Sequence, residues 1–381
     1  MRVSISKCSQ YTAQEAKDAL NAVLEPLGGL DWIQGGMTIA IKANLVSYLR
    51  PEAAATTHPV LLCELIHMIR GRGASVILGD SPGGLFNHAY VNRIYAVTGM
   101  RDTEAAGAVL NQDFSVKEVH YPEGKAVTNF VYTAWLDKAD AIINFCKLKT
   151  HGMMGMSAAA KNMFGVIPGT TKPEYHYRFP NAETFSDMIV DLDEYFKPCL
   201  SIVDAVVGME GNGPTAGTPR HIGVIAASKN PHALDLVCAK LIGIQPQHVP
   251  TLQAAIQRKL CPSRVEDLEI IGELDPYCIS DYKLVSGSKN IQFNKDSQSV
   301  IGRLTGSALK KFLASVPKLN SGECIGCGEC FRICPANAIH MEKKKPVIHR
   351  EKCIRCFCCQ EFCPKGAMKV YRPLIARILG N

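Results

Sequence analysis

The chain has 381 residues, 47% of them hydrophobic and 20% charged, with a formal net charge of +7. That is enough chain for two or three domains, and enough apolar content to bury a core without disulfides. No run approaches the ~18 uninterrupted apolar residues of a membrane span, because the best stretch, residues 37–46, is cut by Lys42 and Asn44. No signal-peptide block opens the chain, so a cytoplasmic protein without a membrane partner is expected.

Val3 and Ile5 alternate with Arg2, Ser4 and Ser6, which predicts a first strand. Thr12 and Glu15 form a capping box that opens a helix. Residues 38–44 read as a buried strand. Thr57 as N-cap, with Pro59 in the first turn, then starts a helix over 60–70 that stops at Gly71 and Gly73. Residues 75–79 form the next strand and run into Asp80-Ser81-Pro82-Gly83-Gly84. This βαβ unit implies a parallel sheet with right-handed crossovers. Further strands are expected at 141–146, 200–203 and 222–226, and a helix follows Pro231 through Leu241. The fold class is α/β, with a mostly parallel, Rossmann-like sheet over residues 1–300. A basic linker over 301–319 follows, helical at 309–313.

Of sixteen cysteines, seven are scattered: Cys8, Cys63, Cys146, Cys199, Cys238, Cys261 and Cys278. They sit mostly among apolar residues and read as buried free thiols. The other nine lie from Cys324 onward. There, Cys324-x-x-Cys327-x-x-Cys330-x-x-x-Cys334-Pro335 repeats 29 residues later as Cys353-x-x-Cys356-x-x-Cys359-x-x-x-Cys363-Pro364. Three closely spaced thiolates wrap one 4Fe–4S cubane, and the fourth is too distant to close on it, so it ligates the other. Cluster one is thus assigned to Cys324, Cys327, Cys330 and Cys363, and cluster two to Cys353, Cys356, Cys359 and Cys334. Both belong to a small α+β two-cluster ferredoxin domain over residues 320–381. Cys358 matches Glu329 of the first repeat and falls outside the set. Zinc competes for such spacings, but zinc sites seldom carry two complete copies of this run. Short strands at 338–341 and 346–349 flank a turn at Lys343-Lys344-Lys345.

From Asn320 onward, eleven lysines and arginines face five glutamates. Each cluster with its thiolates brings about −2, which leaves this domain at about +2. With no basic patch interleaved by aromatics, no nucleic-acid partner is expected. A reducing, anaerobic compartment suits both groups of cysteines.

Polar residues cluster past the ends of the expected strands: Lys42 and Asn44; Asp80 and Ser81; Lys147, Lys149 and His151; Asp204. Open parallel sheets bind ligands beyond the carboxyl ends of their strands. No GxGxxG fingerprint and no P-loop is present. The densest stretch, Lys147-Leu148-Lys149-Thr150-His151, leads on to Gly155, Lys161-Asn162, Gly165 and Pro168-Gly169. It suits an anion, assisted by the amides of a helix expected from about Met156. Met153, Met154, Met156 and Met163 read as packing. Ala158, Ala159 and Ala160 imply burial of the Lys161 amine, and a buried lysine needs a partner or a task. A flexible acidic loop over 204–214 offers Asp204 and Glu210 as acid/base groups or metal ligands.

These residues resemble the family known as domain of unknown function 362. The matching motifs are Lys42-x-Asn44-Leu45-Val46, Thr57-His58-Pro59, Gly79-Asp80-Ser81-Pro82-Gly83, Lys147-x-Lys149-Thr150-His151, Lys161-Asn162-x-Phe164-Gly165, and Asp204-x-x-x-Gly208-x-x-Gly211-x-Gly213-Pro214. The resemblance covers residues 1–243, and family members often carry a ferredoxin tail. A fainter similarity is to the nickel-pincer lactate racemases, on His151, Gly155-x-Ser157-Ala158-Ala159-x-Lys161 and Pro168-Gly169. That resemblance implies a cofactor on Lys161 and a metal-binding role for His176, and Ala158-Ala159 departs from its Gly-Gly.

Catalytic roles thus fall to Lys147, Lys149, His151, Lys161 and Asp80. Binding of a substrate or an additional cofactor falls to Lys42, Asn44, Ser81, Asn162 and His176. The foremost expectation is a redox enzyme, passing single electrons from a low-potential donor protein through the clusters to a small anionic substrate. The alternatives are an electron-delivering maturation partner of another protein, steered by its basic tail, and a racemase- or lyase-like enzyme with accessory clusters.

Overall fold

The computed structural model describes residues 1–285 and 315–371. The helix expected at 309–313, and the linker up to residue 314, lie outside the described residues.

In chain order the strands of the α/β domain are Arg2–Lys7 (β1), Thr38–Lys42 (β2), Ser75–Gly79 (β3), Ala108–Leu110 (β4), Val116–His120 (β5), Asn129–Thr133 (β6), Ala141–His151 (β7), Gly155–Ser157 (β8), Leu200–Glu210 (β9), Thr218–Ser228 (β10) and Glu269–Ile271 (β11). β5 and β6 form a separate antiparallel ribbon. The main sheet runs β11-β1-β10-β9-β7-β2-β3-β4, with β8 added alongside β7. Only β10 and β8 run against the other strands of this sheet. Alternate residues feed two faces. Ile39, Ile41, Ile143, Phe145, Leu200 and Ile202 pack with helices Ala13–Leu24 and Pro59–Arg70 on one side. Cys146, Leu148, Val203 and Ala205 pack with helix Pro231–Leu241 on the other. With both faces covered, these strands read as near-continuous apolar runs, as parallel strands do.

Several local expectations shift. Thr57 does not cap its helix: His58 does, its Nδ1 accepting from the Val60 amide at 3.3 Å. The Thr57 hydroxyl instead donates to Phe145 O at 2.8 Å and accepts from the Asn44 amide at 3.0 Å, tying the exit of β2 to β7. β7 and β9 run well past residues 146 and 203. Lys147, Lys149, His151 and Asp204 therefore lie within strands, and the loop expected over 204–214 begins only after Glu210. Extension is permitted because the buried polar groups find partners in neighbouring elements. The helix expected from Met156 is displaced by β8, which pairs with Lys149–His151, and spans only Ala159–Asn162. Its first amides, at Ala159 and Ala160, donate to Asp235 at 2.6 and 3.2 Å and are not available to an anion.

The tail is built from Val316–Leu319 (β12), Ile339–Glu342 (β13), Lys345–Ile348 (β14) and Met368–Tyr371 (β15), with short helices Glu329–Arg332 and Cys358–Glu361. β12 pairs with β15 and β13 with β14, both antiparallel. The ribbon therefore starts before residue 320, inside the span expected to be linker. Among the described residues, no helix is long and apolar enough to cross a membrane.

Candidate functional site

The parallel strands β2, β3, β7 and β9 deliver their polar ends to one edge. Lys42, at the end of β2, pairs with Asp80 just past β3 (Nζ–Oδ1 2.8 Å), and the other Asp80 oxygen accepts from the Leu45 amide at 2.8 Å. A side chain at Gly165 would collide with both members of this pair, so glycine is required there. Asn162 ties three elements together. Its Oδ1 accepts from Asn44 Nδ2 at 2.9 Å, and its Nδ2 donates to Asn144 Oδ1 at 2.8 Å and to Lys42 O at 3.3 Å. Lys149 donates to Asn44 Oδ1 at 2.6 Å and to Ala55 O at 2.7 Å.

Between these groups and the tail lies a cavity of about 50 Å3. At roughly 10–15 Å3 per water on such a measure, it holds a small anion or a few waters. Lys149, His151, Lys161 and Lys172 face it, along with Glu361 from the second cysteine repeat. Lys161 is buried and lies over the Phe164 ring, 4.6 Å from its centroid; among the described residues no carboxylate is within ion-pair distance of it. Burial pushes its pKa down, and nearby Lys42 adds to the effect while Glu361 opposes it. Burial likewise brings Lys149 and Lys172 down to about 7. His151 Nδ1 accepts from the amides of Met153 and Met154 at 3.2 and 3.3 Å, so Nε2 carries the hydrogen. That buried Nε2 has no hydrogen-bond partner among the described residues and sits 3.9 Å from Glu361 Oε2. Burial and Lys161 together hold the imidazole well below its usual pKa, hence neutral.

Of the residues singled out from sequence, Asn44, Asp80, Ser81, Lys149, His151, Lys161 and Asn162 line the cavity. Lys42 lies behind the wall and reaches the cavity through Asp80 and Asn162. Lys147 points elsewhere, to Asp204 Oδ2 and the Tyr11 hydroxyl, both at 2.8 Å. The Tyr11 ring stacks on His58 at 3.6 Å, and the cluster braces β9 against β7. His176 stacks on Phe185 at 4.3 Å, behind the wall. Glu210 accepts from the Lys283 amide at 3.1 Å, away from the cavity. Lys172 and Glu361 were missed. Lys172 donates to Ser81 O, and its only sequence signal is its place just after Pro168-Gly169. Glu361 follows Lys161 by 200 residues, a proximity that no local pattern reveals.

The tail has two further cavities. Cys324, Cys327, Cys330 and Cys363 line one; Cys334, Cys353, Cys356 and Cys359 line the other, with Cys358 beside them. The sets cross between repeats.

A family model described as domain of unknown function (DUF362) matches residues 39–240. The thylakoid-associated protein sll1697 of Synechocystis sp. is 30% identical over 272 residues, covering 69% of this chain and 81% of that protein. The chain belongs to the DUF362 family. Four of the motifs that carried the resemblance, those beginning at Lys42, Gly79, Lys147 and Lys161, place residues on the cavity wall, and the Asp204 motif adds Pro214; Thr57 and His58 instead hold Asn44, Phe145 and Asp204. A 4Fe–4S dicluster model matches residues 317–364, so this DUF362 protein has an iron–sulfur ferredoxin-type domain and with it a role in electron transfer. Among solved structures, the lactate racemase apoprotein of Thermoanaerobacterium thermosaccharolyticum aligns with TM-score 0.41 and 14% identity, over 63% of this chain. The alignment spans 56% of that racemase's length, a likeness too distant to assign chemistry.

Proposed function

We propose that this DUF362 protein is an iron–sulfur redox enzyme in which single electrons from a low-potential donor protein reach a small anionic substrate or cofactor held among the lysines of the α/β domain. One observation carries the reading: Glu361, between Cys359 and Cys363, walls the cavity that holds Lys149, His151, Lys161 and Lys172. The cysteine-lined cavities fit the metal group, because each presents at least four thiols, one of them from the other repeat. Cluster one would be held by Cys324, Cys327, Cys330 and Cys363, and cluster two by Cys353, Cys356, Cys359 and Cys334. Bound there, the clusters supply one-electron chemistry.

The rest falls to this chain's own side chains. Lys161 lacks a counter-charge, and a bound anion supplies it. The neutral His151 donates a hydrogen bond from Nε2 without adding charge. Each electron gained by the bound group adds one negative charge, and a proton from Lys149 or Lys172 cancels it. The groups facing those two amines are Asp80, Glu361, Lys42, Lys147 and Lys161. An anion favours the ammonium forms, so protons are taken up on binding and affinity falls as pH rises through about 7.

Calorimetric titration of the anaerobic holoprotein with acetate and inorganic phosphate, across pH and in buffers of different ionisation heat, tests this. Lys161→Ala is expected to lose at least about tenfold in affinity, or roughly 1.4 kcal/mol. Unaltered binding and unaltered reduction of acceptors in Lys161→Ala and His151→Ala would sink the proposed site.

A further inference from the structure

We infer that the anion beside Lys161 is the head of a larger molecule whose aromatic body fills a chamber between the two domains; the inference rests on the anion site proposed above. A second cavity, of about 520 Å3, adjoins the first, and Val46, Gly83 and Glu361 wall both. The inner compartment admits a carboxylate or phosphate and little else. The outer one has the size of an ordinary small-molecule pocket. Its apolar walls come from both sides: Tyr48, Leu85 and Tyr90 from the α/β domain, Ile333 and Phe362 from the tail.

These walls are pinned. The Tyr90 hydroxyl donates to Gly83 O at 2.7 Å, and the Tyr48 ring meets Tyr90 edge-on at 4.8 Å. The Arg93 guanidinium lies 4.9 Å from the Tyr48 ring. Phe362 approaches Gly83 so closely that a Cβ there would stand 2.6 Å from its ring. A chamber with fixed walls loses little freedom when a flat ring enters it.

Val46 is an independent sign. It adopts a left-handed conformation with φ 37°, which is costly for a β-branched residue, and its carbonyl accepts from the Gly83 amide at 3.2 Å where the compartments meet. Strain of this kind persists where surrounding structure enforces it, commonly at a ligand site. A bare inorganic anion would leave the chamber unused. The chemistry that uses both compartments is an aryl-bearing carboxylate or phosphate ester.

The test compares bare heads with their aromatic counterparts on the anaerobic holoprotein, by calorimetry: acetate against phenylacetate and phenylpropionate, inorganic phosphate against phenyl phosphate. At least one aromatic member is expected to bind about tenfold or more tighter than its bare head, through burial of the ring. Leu85→Trp, which fills the chamber from an exposed position, is expected to abolish that gain. Bare heads that bind while no ring adds affinity overturn the chamber alone, as does a gain that survives Leu85→Trp. Failure of every anion to bind overturns the anion site, and the chamber with it. The family of head groups showing the gain separates carboxylates from phosphate esters.

Discussion

The segment starting at Cys324 and the segment starting at Cys353 trace the same backbone path. The amides of Ala338 and Ala367 each donate to a cysteine Sγ four residues back at 3.2 Å, and Asn320 N→Ala367 O is mirrored by His349 N→Ala338 O. Left-handed residues recur at matching places: Gly326 and Arg355, Gly328 and Phe357, Asn337 and Gly366. Their surroundings differ. Ile325 and Phe331 of the first copy are exposed, as is Cys327, whereas Phe357, Cys358 and Gln360 of the second are buried. Phe357 joins the aromatic core of the α/β domain, and Gln360 donates to Asn212 O and Gly213 O at 3.0 Å. A left-handed non-glycine residue costs roughly 1–2 kcal/mol, and Phe357 accepts that cost where its twin is glycine because its ring is needed at the interface. The asymmetry is thus an imprint of docking, and it makes cluster two, on the reading above, the inner cluster.

The comparison breaks most completely when the metal is removed. The tail's own buried apolar cluster is Cys330, Ile339, Cys359 and Met368, half of it cysteines proposed as cluster ligands, while the α/β domain has extended cores on both sheet faces. Chelation is therefore expected to unfold both repeats together and leave the sheet intact, since cluster binding is folding energy for such a domain. Hydrogen exchange resolved by segment checks it. Protection of residues 316–371 that survives iron loss would show that docking alone supports the tail.

Crossing of the ligand sets is tested by pairs. Cys363→Ser alone is expected to remove about half of the iron, Cys324→Ser with Cys363→Ser no more than that, and Cys353→Ser with Cys363→Ser nearly all. Equal loss in the two double variants would mean that the repeats do not interlock as their spacing implies. Iron and sulfide counts, with the spin coupling of the reduced protein, give the answer.

The same contrast explains what was legible beforehand. Cysteine spacing is chemistry written locally, so the sequence alone names the two cysteine sets that line the tail's cavities. β3 was read at its true bounds because Ser75–Gly79 is an apolar run ended by a turn. β7 was cut short at 146 because Lys147 and Lys149 look like loop residues; partners distant in sequence, Asp204 and Tyr11 for the first and Asn44 and Ala55 for the second, allow their burial. The cavity's tail wall was illegible for the same reason. Glu361 acts through distance in space, and Gln360 beside it has no pattern that marks a buried donor.

Phe357→Gly returns the second copy to the first copy's residue. It relieves the left-handed backbone but strips a buried ring from against Gly152, and the net cost is expected to be about 2–4 kcal/mol. Urea unfolding of the holoprotein measures it. A neutral result would mean that the ring contributes nothing to docking.

The smallest effects set the finest test, through the residues that occupy equivalent positions in the two short helices. Gln360→Ala removes two hydrogen bonds and leaves the carbonyls of Asn212 and Gly213 without that donor, at an expected cost of about 1–3 kcal/mol. Phe331→Ala, its counterpart in the first copy, touches an exposed side chain and is expected to change stability by no more than about 0.5 kcal/mol. Ordinarily a phenylalanine outweighs a glutamine in such measurements, so the order is reversed here only if the second copy is the one that docks. Equal costs, or a larger one at Phe331, would place the first copy against another surface and exchange the inner and outer clusters.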